Sequence, residues 1–322
     1  MKIDSHRYGV APGRRQDACR FMEGAIALES GTTWRRFAKT ARDRVLWHTP
    51  LLQTMVREAA RRRCVPPALW RRLHPSGVWT LHAPDGTSFA YDSTYPHDGL
   101  ARHIVWTDMR DWEASTQPVL FDLAKQASVF VDVGAYSGIY TVLACVANPE
   151  LRAVAIEPNP AKLPQLRSNV AANGIADRVT VIGKALSARA GTAKLSIPAD
   201  DSTASLDGSG RLGRFVDVDV TTGDLALDGL RVGLVKIDVE GLEGEVVRGM
   251  ARVLRTHQPK IIAECLDAAA LRDLRRTTRE FGYQHVYHLS GEGPVPVTDR
   301  LFRPANYLFT IEPITCRMVR NG

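Results

Sequence analysis

Residues 129–138 read Val-Phe-Val-Asp-Val-Gly-Ala-Tyr-Ser-Gly, an apolar β-branched run that breaks into two glycines four residues apart. A strand that turns through glycine into a helix offers free backbone N–H groups at the helix N-terminus, where a carboxylate or phosphate binds. Gly134 and Gly138 lack Cβ atoms, so the chain can turn sharply there and a ligand can come close. In an open parallel sheet, ligands bind beyond the carboxyl ends of the strands where the strand order reverses, and the first strand–turn–helix usually lies at that point.

The surrounding pattern supports such a sheet. Short β-branched runs at Val129–Val133, Ala153–Ile156, Val179–Ile182, Leu234–Ile237, Ile261–Ala263 and His285–Leu289 alternate with helix-length segments. Strands separated this way need right-handed crossovers, which predicts an α/β fold with a doubly wound, mainly parallel sheet. One helix is expected after Glu240, with Leu242, Val246, Met250, Val253 and Leu254 on a single face. Another, after Asn159, should end at Asn173-Gly174. Tyr307–Thr310 reads as a late strand able to pair beside His285–Leu289. Residues 198–214 are too polar and glycine-rich for a core element and read as a loop, disordered or closing over the site.

Three regions follow: a basic helical N-terminal region at 1–75, a hairpin and connecting segment over the cofactor site at 76–127, and a Rossmann-like domain at 128–322. The hairpin is Val78–Leu81 and Thr87–Tyr91 around Pro84-Asp85-Gly86. Residues 1–75 hold 16 Lys/Arg against 6 Asp/Glu, although the whole chain is only +7. The densest cluster is Arg61-Arg62-Arg63 with Arg71-Arg72 and Trp70, either a solvated helix face or a patch for an acidic ligand or nucleic acid. No apolar run approaches the roughly 18 residues of a membrane span. The first residues lack the apolar core of a secretion signal, so a cytoplasmic location is expected. Five scattered cysteines without a Cys-x-x-Cys pair read as reduced, mostly buried thiols.

A dinucleotide is the first ligand to weigh, because Glu157 ends the next strand where an acid would grip ribose hydroxyls. That fingerprint wants a middle glycine, and Tyr136 stands there, where its bulk would obstruct a pyrophosphate. Asp132 followed by Gly-x-x-x-Gly suits a ligand with a carboxylate, an amine and a ribose, which describes S-adenosylmethionine.

Val129–Thr141, Ile156-Glu-Pro-Asn-Pro160, Leu166–Gly174, Lys184-Ala-Leu-Ser187 with Gly191, and Val235-Lys-Ile-Asp-Val-Glu-Gly-Leu-Glu243 together resemble the FkbM-type S-adenosylmethionine-dependent methyltransferases. The likeness runs from about Trp112 to Cys265, and Lys-Ile-Asp-Val-Glu-Gly is its most specific element. It implies a class I methyltransferase fold, with the methionine part of the cofactor against Asp132, Gly134, Tyr136, Ser137 and Gly138. It also implies the ribose on Glu157, with Pro158, Asn159, Lys184 and Ala185 about the adenine. Tyr136 and the long Lys184 depart from the usual family pattern.

Methyl transfer from a sulfonium gains most from positioning and a dry cleft, and a hydroxyl acceptor wants a base. Asp238, Glu240 and Glu264 sit at or near the ends of adjacent strands and are the expected catalytic carboxylates. Mg²⁺ suits such oxygens but is not the favoured reading, and no metal ligands are assigned. His285 and His288 read as packed or solvated; Asp111, Trp112, Glu113 and Thr116 belong to a segment that packs over the cofactor in the resembling family, and His97 and His103 are weaker acceptor contacts. No Asn/Asp-Pro-Pro-Tyr follows the fourth strand, as adenine N-methylation would favour, and Cys265 reads as a packed thiol rather than a nucleophile.

The expected function is O-methylation of a small molecule such as a sugar, nucleoside or polyketide-type metabolite, an acceptor class implied by the resemblance alone. The rivals are an RNA methyltransferase using the basic patch and a non-catalytic cofactor-fold module. The expected partner is a small hydroxyl substrate. Nucleic acid and membrane are not expected, and self-association is left open.

Overall fold

The computed structural model describes residues 49–95, 98–198, 213–298 and 302–314. The chain divides into two compact units, Met1–Gln53 and Thr54–Gly322. Residues 1–48 of the expected basic helical region, and most of the loop expected at 198–214, lie outside the described residues.

Helices α1 (Pro50–Arg61) and α2 (Pro67–Trp70) precede the hairpin β1 (Val78–His82) and β2 (Ser88–Asp92). Then come α3 (Ala101–Ile104), α4 (Gln117–Ala124), β3 (Val129–Val133), α5 (Ile139–Ala147), β4 (Arg152–Ile156), α6 (Leu163–Ala172) and β5 (Val179–Ile182). A small sheet follows, from β6 (Ala185–Leu186), β7 (Gly191–Pro198) and β8 (Gly213–Thr221). The chain continues through α7 (Gly223–Ala226), β9 (Leu234–Ile237), α8 (Glu243–Arg248), α9 (Ala251–His257), β10 (Lys260–Cys265) and α10 (Ala268–Arg279). It closes with β11 (His285–Ser290), β12 (Gly293–Pro296) and β13 (Ala305–Thr310).

The central sheet has eight strands in the order β12-β11-β13-β10-β9-β3-β4-β5. Strands β10, β9, β3, β4 and β5 are parallel, and β13, β11 and β12 add antiparallel strands at one edge. The chain runs outward from β3 through β4 to β5 and returns to β9 on the other side of β3, so the strand order reverses between β3 and β9. All five residues of β3 are buried, as a parallel strand covered on both faces requires. Val129, Val131 and Val133 belong to one buried apolar cluster with the helix residues Val246, Val253 and Leu274, while the intervening Asp132 accepts a hydrogen bond from Thr141 on α5.

Two local expectations are corrected. The single helix after Glu240 is two, α8 and α9, divided at Gly249. A Cβ there would overlap the Ser187 carbonyl, and the Asp224 carboxylate accepts the N–H groups of Arg252 and Val253 at 2.9 and 3.0 Å. Asp224 therefore supplies the partners that the opening turn of α9 lacks. The second correction is that Pro198, Gly213 and Arg214 belong to β7 and β8, an antiparallel pair, so the polar segment joins two strands. Asn173 does end α6, with Gly174 at φ +64° behind it.

The β1–β2 hairpin is held against α6. Asn173 pairs with the backbone of Ala90 in both directions at 2.8 Å, as a neighbouring strand would. Asn169 accepts from Asp92 N–H at 2.7 Å and donates to the Ser137 carbonyl at 2.7 Å. Among the described residues no helix is long and apolar enough to cross a membrane.

Candidate active site

Parallel register places Val133 opposite Ile237, so the first residues beyond the two strands, Gly134 and Asp238, abut. Asp238 N–H donates to the Val133 carbonyl at 2.9 Å, and a Cβ on Gly134 would overlap the Asp238 carbonyl oxygen. Gly134 also has φ +82°, a backbone region that glycine adopts without penalty. The glycine thus lets two strand ends touch at the point of strand-order reversal, and a cavity of about 580 Å³ opens there.

One side of the cavity is formed by Asp132, Gly134, Tyr136, Glu157, Pro158 and Asn159, with Lys184 and Ala185 beside them. Glu157 is buried and accepts the N–H groups of Tyr136 at 2.8 Å and Asn159 at 2.7 Å. Burial pushes its carboxyl up to about 7 against those two bonds. Asp132 is raised to about 6, also by burial, with Thr141 working in the other direction. Ser137 and Gly138 do not line the cavity. Ser137 is buried with Oγ 3.0 Å from the Tyr91 hydroxyl, and Gly138 begins α5 at φ +79° against Leu166. They shape the turn from behind.

The other side carries the acids. Lys236 and Asp238 are two residues apart, so strand alternation turns both side chains the same way, and Lys236 Nζ meets Asp238 Oδ2 at 2.9 Å. The lysine side chain is 1% exposed and its ammonium lies over the Tyr140 ring at 5.1 Å. Burial alone would lower the Lys236 pKa, but the Asp238 and Glu113 carboxylates outweigh it and hold the ammonium charged. Burial likewise works to raise Asp238, and Lys236 with a hydrogen bond from Glu264 outweighs it, so Asp238 stays ionised. Glu264 is pushed up to about 9 by burial and by the neighbouring Asp238 charge, so near neutral pH it keeps its proton and donates to Asp238. Glu113 closes the cluster, accepting from the Tyr140 hydroxyl at 2.6 Å and from Asn306 Nδ2 at 2.8 Å.

Residues 132–285 match the family model described as the methyltransferase FkbM domain. Over these residues the chain is similar to the FkbM methyltransferase domain. Among solved structures, the chain is similar to a methyltransferase FkbM from Methylobacillus flagellatus KT, with 17% identity and a TM-score of 0.42, over 66% of this chain and 54% of that one. The chain therefore spans about half the length of that relative. It is similar also to an S-adenosylmethionine-dependent O-methyltransferase from Thermotoga maritima, with 12% identity, a TM-score of 0.41 and 76% and 96% of the two chains covered. An O-methyltransferase from Bacillus cereus in complex with S-adenosylhomocysteine gives 13% identity and a TM-score of 0.35 over 60% and 78%. No curated protein matches the chain.

Within the FkbM domain, the three predicted carboxylates do come together: Asp238, Glu240 and Glu264 each offer an oxygen within 4.8 Å of the others. Glu243, the first residue of α8, reaches back to accept from Gly241 N–H at 3.0 Å, which fixes the turn that carries Glu240. His285 and His288 do not line the cavity, and the His288 ring rests edge-on against Tyr307. Cys265 is fully buried, and burial raises its thiol, as befits a packed residue. Of the segment upstream, Trp112 and Glu113 line the cavity while Asp111 and Thr116 do not; His103 lines it, and His97 lies outside the described residues.

Sequence reading missed Lys236 and Tyr140 as parts of the site. A lysine inside the apolar run Leu234-Val-Lys-Ile237 was the available signal, since a buried lysine needs a carboxylate partner. Of the basic patch, Arg62, Arg63, Arg71 and Arg72 are exposed, as a solvated face would be, while Arg61 turns inward. Arg57 and Arg61 point their guanidinium groups at the buried Asp108, at 3.3 and 3.6 Å, and His82 Nδ1 meets the same carboxylate at 2.8 Å.

Proposed function

We propose that the protein is an S-adenosylmethionine-dependent O-methyltransferase acting on a hydroxyl of a small molecule. The observation that carries this is the cavity shared by the glycine turn with Glu157 and the Lys236–Asp238–Glu264 cluster. The residues present fit the cofactor. The cavity has the size of a small-molecule site, Gly134 leaves the turn without a side chain, and Glu157 offers an acceptor for hydroxyl donors. Asp132, Tyr136 and Glu157 would hold the methionine and ribose portions, and Pro158, Asn159, Lys184 and Ala185 the base. When bound, S-adenosylmethionine supplies a methyl group on a positively charged sulfur.

The acidic cluster supplies the proton acceptor. Asp238 and Glu264 hold one proton between them, which leaves Asp238 as the ionised carboxylate facing the cavity. Lys236 keeps it ionised, and it would take up the proton that an acceptor hydroxyl gives up. Trp112 and Tyr140, with ring centroids 5.0 Å apart, wall the cluster with apolar surface that limits water. Lys236 already places a positive charge beside Asp238, which weighs against Mg²⁺ on the same oxygens.

A non-catalytic module would gain nothing from a buried lysine and three carboxylates facing a cavity, an arrangement that costs stability. An RNA-binding role would lose Arg61 to Asp108 and would rest on the exposed Arg62, Arg63, Arg71 and Arg72. Titration calorimetry with S-adenosylhomocysteine tests the proposal: micromolar binding, largely lost in Glu157→Ala, is expected. Absence of binding to the wild type would overturn it.

A further inference from the structure

The cavity has a third set of residues that the reaction chemistry does not use. Arg71, Arg102 and His103 line it, together with Gly99 and Leu100. All of these come from the segment in front of the matched domain, the same segment that contributes Trp112 and Glu113 beside the acidic cluster. Among the described residues neither Arg71 nor Arg102 has an ion-pair partner, in contrast to Arg57, Arg61, Arg62 and Arg63, each of which meets a carboxylate. Arg102 Nε is buried and has no hydrogen-bond acceptor among the described residues. Arg71 stands over the ring of the buried Trp70, with its guanidinium carbon 5.2 Å from the centroid.

Two guanidinium groups facing one cavity repel each other unless something negative lies between them. Their forks match the oxygens of a carboxylate or phosphate, to which they donate paired hydrogen bonds. The His103 imidazole is held below its ordinary pKa by burial and then by Arg71 and Arg102, so it adds a neutral donor or acceptor rather than a third charge. The ionised carboxylate in the same cavity, Asp238, is paired with Lys236 instead.

We infer that the methyl acceptor carries an anionic oxygen group, phosphate or carboxylate, which Arg71 and Arg102 hold while its hydroxyl faces Asp238. This rests on the methyl-transfer reading above and deepens it by naming the substrate class. The cations come from outside the matched domain, whereas the residues assigned to the cofactor lie within it.

The test uses the full chain loaded with S-adenosylhomocysteine and titrates inorganic phosphate and, separately, acetate. The expected result is saturable binding of one of the two, weakened roughly tenfold or more by Arg102→Gln and by Arg71→Gln. Affinity for S-adenosylhomocysteine should stay within about twofold in both variants, because their contacts lie with the acceptor. Arg102→Lys should recover part of the anion binding, since the charge is kept and the fork is lost. Preference for phosphate or acetate says which group the acceptor carries. Loss of S-adenosylhomocysteine binding in the arginine variants, with phosphate competing against it, would overturn the inference and give the cations to the cofactor's own carboxylate. Binding of neither anion would overturn it as well. A wild type that binds no S-adenosylhomocysteine at all would instead sink the methyltransferase reading, which separates the two failures.

Discussion

Lys236 and Asp238 form an ion pair of 2.9 Å at the end of one strand, with the lysine side chain almost wholly enclosed and the carboxylate partly open to the cavity. The enclosed member fixes the charge of the open one. Replacing Lys236 by Met leaves Asp238 and Glu113 without their shared cation, and the expected cost is about 3 kcal/mol in chemical denaturation. In the wild type the folded Asp238 pKa is depressed, so its contribution to stability is present above the ordinary carboxylate pKa and is lost as pH falls through the folded value. Lys236→Met should remove that acid-side stabilisation; a mutant as stable as the wild type from pH 4 to 7 would contradict the pairing.

Glu264 keeps its proton up to about pH 9. Its folded pKa is raised, so the stabilisation it gives is complete below the ordinary glutamate value and disappears as pH rises through about 9. Glu264→Gln retains a donor to Asp238 and should preserve transfer near neutrality while flattening the alkaline change in stability. Glu264→Ala loses the donor, and a rate reduction of roughly tenfold or more is expected once an acceptor is in hand. Equal behaviour of the Gln and Ala variants would count against the shared proton.

Glu157 titrates near pH 7 in the free protein. If its carboxylate accepts ligand hydroxyls, binding favours the ionised form, so affinity for S-adenosylhomocysteine should rise as pH increases toward and through about 7 and then level off. Glu157→Gln should bind more weakly and without that slope between pH 6 and 8. Calorimetry at three pH values reads both.

Gly134→Ala introduces a Cβ that overlaps the Asp238 carbonyl in a backbone of φ +82°. A loss of about 3 kcal/mol or more is expected from strain and separation of the strand ends, together with weaker cofactor binding. Gly174→Ala is the control: its φ is +64° but nothing lies within 4 Å of the new atom, so about 1 kcal/mol covers the backbone term alone. Comparable losses at the two positions would show that the contact with Asp238 is not the cause.

Much of the fold and part of the site were legible along the chain because they depend on local pattern. The β-branched runs at Val129–Val133 and Leu234–Ile237, the helix stop at Asn173-Gly174 and the glycine turn itself are set by propensities and by backbone freedom within a few residues. The same signals put Asp238 and Glu264 at strand ends, and the parallel sheet then made those ends neighbours. The break between α8 and α9 was not legible, because the partners that end one helix and begin the next are Ser187 and Asp224, distant in sequence. Nor was the pairing of Arg57 and Arg61 with Asp108, or of Tyr140 with Glu113, which depends on which helix the hairpin and connecting segment fold against. Sequence by itself determined the strand–turn–helix units and the ligand class their glycines admit, since these follow from short-range sterics and side-chain periodicity. Only the tertiary structure decided which charges are paired and which face the cavity, because electrostatic partnership falls off within a few ångströms and those distances are set by packing between segments far apart in the chain.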